Sequence, residues 1–132
     1  LFFSENTDSE PVLSSQMKLV TQTNVTQVLR ILLEEHLIQG QTTSKAMAKA
    51  LNMSEKTLQR RLAKEGTSFS NELARLRQQK SVSLLNETDL SVTEIAFLCG
   101  YSEISAFHHA FHRWYGMSPK TYKQKMAIIA GS

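Results

Sequence analysis

An all-α fold is predicted: two helix-turn-helix units joined by a long linker helix, about seven helices in all. Three features of the 132-residue chain predict it. Helix-start signals recur along most of its length, with no convincing strand pattern competing. Two segments repeat one arrangement of small, apolar and turn residues. Between them lies a stretch, Ser68 to Asn86, long enough for a single helix of about 27 Å at 1.5 Å per residue.

Taken in order, residues 1 to 20 are polar, rich in Ser, Thr and Asn, and interrupted by Pro11, which reads as a linker or the tail of another domain. From Asn24 to Gln39 the apolar residues Val25, Val28, Leu29, Leu32, Leu33 and Leu37 recur at helical spacing, and Gly40 stops the run. Thr42 to Ser44 opens KAMAKAL, Ser54 opens EKTLQRRLAKE, and Gly66 closes it. Ser68 then opens the long stretch, in which Phe69, Leu73, Leu76, Leu84 and Leu85 form a partial stripe with Arg75, Arg77 and Lys80 around it. Ser91 with Glu94 is spaced for a capping box. Ser102 is expected to open EISAFHHAFHRWY, Gly116 closes it, and Ser118 with Pro119 starts the last helix. The domain reading is 1–22 as linker or remnant of another domain and 23–125 as one domain. Within it, the first unit is 23–66, the linker helix 67–87 and the second unit 88–125.

The repeat sets AMAKALNMSEKTLQRRLAKEGTSF, from Ala46, beside TEIAFLCGYSEISAFHHAFHRWYGMSP, from Thr93. Each has an alanine (Ala48, Ala96), a turn residue four further on (Asn52, Gly100), a Ser-Glu pair, two apolar residues four apart (Leu58 and Leu62; Phe107 and Phe111), a glycine and a serine. A small residue lets two helices cross closely, and glycine or asparagine tolerates the left-handed backbone of a tight turn. The apolar pair pins the second helix onto the first. That is the helix-turn-helix arrangement, whose second helix enters the major groove of DNA.

Charge agrees with a polyanionic partner. Residues 1 to 40 carry a net −3 and the other 92 a net +6, within an overall +3. The chain has no apolar run long enough for a membrane span or a secretory signal, and its single cysteine, Cys99, has no internal partner, so a cytoplasmic protein is expected. Because it opens on Leu1, it is read as part of a longer or processed protein.

With Leu58 and Leu62 facing inward, Lys56, Gln59 and Arg60 lie on the opposite side with Ala63. Gln suits adenine and Arg guanine through paired hydrogen bonds, so these three are assigned to base edges. Ser54, Arg61 and Lys64 are assigned to phosphates. In the second unit Phe107, Phe111 and Trp114 pack, which turns Ile104, Ser105, His108 and His109 toward bases and Ser102, His112 and Arg113 toward the backbone of the duplex. A histidine at 109 facing DNA makes affinity rise at low pH, as imidazole gains charge. Glu55 and Glu103, each after a serine, are read as stabilising helix starts.

The segments MSEKTLQRRLAKEGTSF at 53–69 and EIAFLCGYSEISAFHHAFHRWYGMSPKTYK at 94–123 resemble the DNA-binding region of the AraC/XylS transcriptional regulators. The resemblance runs from about Val25 to Lys123. It implies seven helices, two helix-turn-helix units, and binding to double-stranded promoter DNA with RNA polymerase as a further partner. It also implies that a small-molecule effector is sensed by a separate domain. The sequence departs from the family pattern in the second recognition helix: 109 is His where members often carry Arg, and 112 is His where many carry Lys.

Other chemistries find less support. His108 and His112 stand four apart, as metal ligands do, but a zinc site needs more donors and no HExxH pattern exists. There is no glycine-rich phosphate loop and no nucleophile–base set, so neither cofactor, metal nor enzymatic activity is expected. The alternative reading is a helical protein-interaction module on the same scaffold.

Overall fold

The computed structural model describes residues 24–40 and 42–131. The linker reading of residues 1–22 lies outside them. Among the described residues there are seven helices and no strand: α1 Val25–His36, α2 Ser44–Ala50, α3 Glu55–Lys64, α4 Phe69–Glu87, α5 Val92–Leu98, α6 Ile104–Tyr115 and α7 Pro119–Gly131. They form two compact units, one of residues 24–35 with 42–72, the other of 36–40 with 73–131. No helix among the described residues is long and apolar enough to cross a membrane.

Most helix starts arise from local side-chain chemistry. Asn24, Thr43, Ser54, Ser68, Ser91 and Ser118 each offer an oxygen to the amide three residues on, at 2.9 to 3.1 Å. Ser91 and Glu94 complete the reciprocal capping box, with the Ser91 N–H donating to the Glu94 carboxylate at 2.8 Å. Caps of this kind are worth about 1 kcal/mol each.

In the first unit Val25, Val28, Leu29, Leu32 and Leu33 of α1 are buried, as are Met47, Ala48 and Leu51 around α2 and Leu58 and Leu62 of α3. Two carboxylates fix the frame. Glu65, just past α3, accepts the Val25 and Thr26 N–H groups at 2.9 Å each and the Thr26 hydroxyl, so the end of α3 caps the start of α1. Glu72 is buried and accepts from the Arg30 guanidinium and the Thr67 hydroxyl. Arg30 is held above its ordinary pKa by that hydrogen bond.

The second unit has an aromatic core. Leu85, Ile95, Ala96, Cys99, Phe107 and Phe111 are buried, and Tyr101, Trp114, Tyr115 and Tyr122 pack against them. The Phe111 ring lies 5.8 Å from Phe107, 4.9 Å from Tyr115 and 5.5 Å from Tyr122, centre to centre. Burying each phenylalanine contributes about 1.5 to 3 kcal/mol. α4 is unbroken over 19 residues, about 28 Å.

Candidate nucleic-acid interface

Both turns are built alike. Asn52 takes φ 62°, with its N–H donating to the Lys49 carbonyl and the Met53 N–H to the Ala48 carbonyl, both at 3.0 Å. Gly100 takes φ 87°, with its N–H donating to Phe97 O at 2.9 Å and the Tyr101 N–H to Ala96 O at 3.0 Å. Carbonyls in the last turn of α2 and of α5 are thereby satisfied, and the turn sets the direction of the helix that follows.

The helices that follow begin differently. α3 starts where expected, with Ser54 Oγ accepting from the Thr57 N–H at 3.1 Å while its hydroxyl donates to Thr57 Oγ1 at 3.0 Å. The start expected at Ser102 is not formed: α6 begins at Ile104, and its cap position is Glu103, extended at φ −131° and ψ 132°, with no side-chain cap. The cause is one extra residue. Ala48 and Ala96, like Asn52 and Gly100, stand 48 apart, whereas Leu58 and Phe107, like Leu62 and Phe111, stand 49 apart. The counterpart of Ser54 is therefore Glu103, whose longer side chain does not close the tight ring a serine makes. Glu103 thus occupies the cap position itself instead of following a serine cap. Glu55, by contrast, accepts the Ser44 hydroxyl and ties α3 to the start of α2.

On α3, Lys56, Gln59, Arg60, Ala63 and Lys64 are exposed and Arg61 is half-buried, while Leu58 and Leu62 are fully buried. On α6, Ile104, Ser105, His108, His109, His112 and Arg113 are exposed, while Phe107, Ala110 and Phe111 are buried. Ser54 and Ser102 are exposed in the segments just before. The 49-residue register pairs the two faces position by position: Lys56 with Ser105, Gln59 with His108, Arg60 with His109, Ala63 with His112, and Lys64 with Arg113.

Sequence reasoning missed two groups. Lys45 and Lys49, one turn apart on α2, are exposed and line an open hollow of about 550 Å³ together with Asn52, Ser54 and Glu55. Their i, i+4 spacing in KAMAKAL was the available signal. The second is Arg77. Its Nε donates to Cys99 O at 3.1 Å and an Nη to Gly100 O at 3.2 Å, and its guanidinium carbon lies 4.4 Å from the centre of the Tyr101 ring. Tyr101 in turn lies 5.5 Å from Phe107, so α4 grips the turn that aims α6. Burial pushes the Tyr101 hydroxyl up in pKa, against the pull of Arg77. It pushes the Cys99 thiol up to about 11. Cys99 is thus a core residue. Among the described residues no cluster of three or more metal-ligating side chains occurs.

Two tight turns, each leading into a helix with one buried apolar edge and one exposed polar face, define a tandem helix-turn-helix protein. The helix-turn-helix domain family matches residues 47–125, and the chain belongs to that family, in its AraC/XylS type. It is 44% identical over 79 residues to an uncharacterized HTH-type transcriptional regulator of Mycobacterium tuberculosis, covering 60% of this chain and 23% of that protein. It is 31% identical over 125 residues to the HTH-type transcriptional regulator GadX of Escherichia coli, covering 95% of this chain and 44% of that one. The chain spans less than half the length of these relatives. Among solved structures, the DNA-binding domain of AdpA, a global transcriptional factor in complex with a target DNA, superposes with a TM-score of 0.69 at 28% identity, covering 78% of this chain and 93% of that one. The relatives carry the names of regulators rather than enzymes.

Proposed function

We propose that this chain is the DNA-reading part, about residues 23–125, of a transcriptional regulator that binds two adjacent major-groove segments of promoter DNA. The observation that carries the reading is the paired faces. At equivalent positions of α3 and α6, side chains able to bond base edges or phosphates are exposed, while the residues between them form the core. Gln59 and Arg60 carry two strong base-reading pairings, adenine and guanine. Lys56, Ile104, Ser105, His108 and His109 complete the base-facing set. Lys45, Lys49, Ser54, Arg61, Lys64, Ser102, His112 and Arg113 face phosphates. The first helix of such a motif crosses the backbone of the duplex, which suits Lys45 and Lys49. The reading includes a cytoplasmic location, contact with RNA polymerase, and effector control exerted through a separate domain.

Selection of bound duplexes from a random pool tests this. Two short blocks about ten base pairs apart are expected, one helical turn of B-DNA. Arg60→Ala should erase preference within one block and His109→Ala within the other. Binding should weaken about tenfold or more between 50 and 200 mM salt, since counterions are released for each phosphate neutralised. A pool that yields no motif, or binding indifferent to salt, overturns the proposal and leaves the protein-interaction module in its place.

A further inference from the structure

The two heads share a scaffold but not an electrostatic character. Reading across the repeat, Lys45 is replaced by Thr93, Lys49 by Phe97, Lys56 by Ser105 and Arg60 by His109, and only Lys64 keeps a permanent cation, as Arg113. In exchange α6 gains His108, His109 and His112, at i, i+1 and i+4, all exposed. On the first head every one of those cations is likewise exposed, and Phe97 stands 55% exposed where the first head has a lysine.

We infer that the heads divide the work: the α2–α3 head holds the duplex by fixed charge at any pH near neutral, while protonation of His108, His109 and His112 sets how strongly the α6 head engages. This rests on the DNA-reading function proposed above. A neutral imidazole brings no net charge to a phosphate, whereas imidazolium brings a cation and donors on both nitrogens. The charge of DNA favours the protonated form, so engagement takes up protons, and each proton taken up raises affinity by as much as about tenfold per pH unit lost.

Other titratable or charged groups on α6 and at its start are Glu103, Arg113 and Tyr115. α5 supplies Glu94, which is bound to Ser91. α7 supplies Lys120, Tyr122, Lys123 and Lys125, with Lys123 donating to Thr88 O at 3.2 Å. From α4 and the turn come Arg75, Arg77, Lys80 and Tyr101, with Arg77 spent on the carbonyls of Cys99 and Gly100. Among the described residues no carboxylate forms a salt bridge with any of the three histidines. The negative charge that favours the protonated trio is supplied by the duplex.

The experiment uses the 132-residue chain and a duplex recovered by selection at pH 6. Two further duplexes are cut back to one block each, so that the other head has neither bases nor phosphates to engage, the blocks being assigned to heads with Arg60→Ala. Affinities are measured at pH 6 and pH 8 over a range of salt. The intact duplex and the one keeping only the α6 block should bind at least about tenfold tighter at pH 6, and the one keeping only the α3 block should change by less than about threefold. The salt slope of the α6 contribution should steepen toward low pH by up to about 0.9 for each histidine charged. The triple variant His108→Asn, His109→Asn, His112→Asn should bind the α3 block normally and lose the pH response, and His112→Asn alone should lose part of it. Equal affinities at the two pH values, or a pH response that survives the triple variant, would overturn the inference while leaving the DNA reading in place. No sequence-specific duplex at either pH overturns both.

Discussion

Gly100→Ala is expected to damage the second unit more than any other glycine-to-alanine change in it. Two terms add. The backbone at φ 87° lies in the left-handed region, where an L side chain costs roughly 1 to 2 kcal/mol. A Cβ built on Gly100 would stand 3.0 Å from the Leu37 carbonyl oxygen and 3.1 Å from its Cδ1. The first of these is backbone, so relief requires the 36–40 segment or the turn itself to shift, and such overpacking costs about 1 to 3 kcal/mol. Alanine returns about 0.4 to 1 kcal/mol by restricting the unfolded chain. The net expectation is about 2 to 4 kcal/mol of lost stability.

Gly116 supplies the internal control. It has φ 71°, but a Cβ there meets nothing within 4 Å, so Gly116→Ala should show only the backbone term, a net of about 1 kcal/mol. The single tryptophan, Trp114, packs against the core of this same unit, so urea unfolding followed by its fluorescence reads both variants with one probe. Gly100→Ala should lower the midpoint about two to four times as much as Gly116→Ala, at similar m-values. Equal midpoints for the two variants would refute the close approach of Leu37 as the reason glycine stands at the second turn.

Glu65 should make the first unit sensitive to acid. Burial pushes its pKa up, but the hydrogen bonds from Thr26 and Val25 and the charge of Arg61 outweigh this, so the carboxyl is held below its ordinary range. A depressed folded-state pKa gives stability that is present above the unfolded value, about 4.3, and is lost as pH falls through the folded value. Glu65→Gln should therefore destabilise the protein at pH 7 and differ little from wild type near pH 2, as measured by thermal unfolding across that range. A destabilisation of the same size at both ends would assign the loss to packing rather than ionisation. The Cys99 thiol, fully buried and with its pKa pushed up to about 11, should resist thiol reagents at pH 8 in the native protein and react at once in denaturant. Fast native labelling would show the α5 end to be open.

The fold was legible because its signals are local and redundant. Ser54, Ser68, Ser91 and Ser118 announce helices that the structure starts at those caps, and the leucine and phenylalanine pairs at i, i+4 announce the buried edges. The start of α6 misled because Ser54-Glu55 and Ser102-Glu103 match as letters, although the apolar pair behind them is displaced by one residue. The outward faces of α3 and α6 were legible for the same reason as the core: once Leu58, Leu62, Phe107 and Phe111 are placed, the remaining positions have one side left. What stayed hidden depends on distant partners. Arg77 reads as one more surface cation of a basic helix until Cys99 and Gly100, more than twenty residues away, supply the carbonyls it binds. Glu65 caps a helix forty residues upstream, which no local pattern can announce.

The displaced register has a consequence for how the two heads diverged in charge. Turn geometry and buried edges are fixed by a handful of residues, Ala48, Asn52, Leu58 and Leu62 in one unit and Ala96, Gly100, Phe107 and Phe111 in the other. Apart from Asn52, which is exposed at its turn, none of these lies on the exposed face. A substitution such as Arg for His between positions 60 and 109, or Lys for Phe between 49 and 97, therefore leaves the packing constraint untouched while changing the field presented to solvent. The inserted residue before α6 lies outside the packed edge as well, since it falls between the turn and Phe107 and is absorbed by the extended backbone of Glu103. Two scaffolds that share a turn and the spacing of a buried edge can then carry faces of different charge at little cost in stability. The fold thus follows from the inward residues, and the proposed DNA reading, with its proposed response to pH, rests on the outward ones.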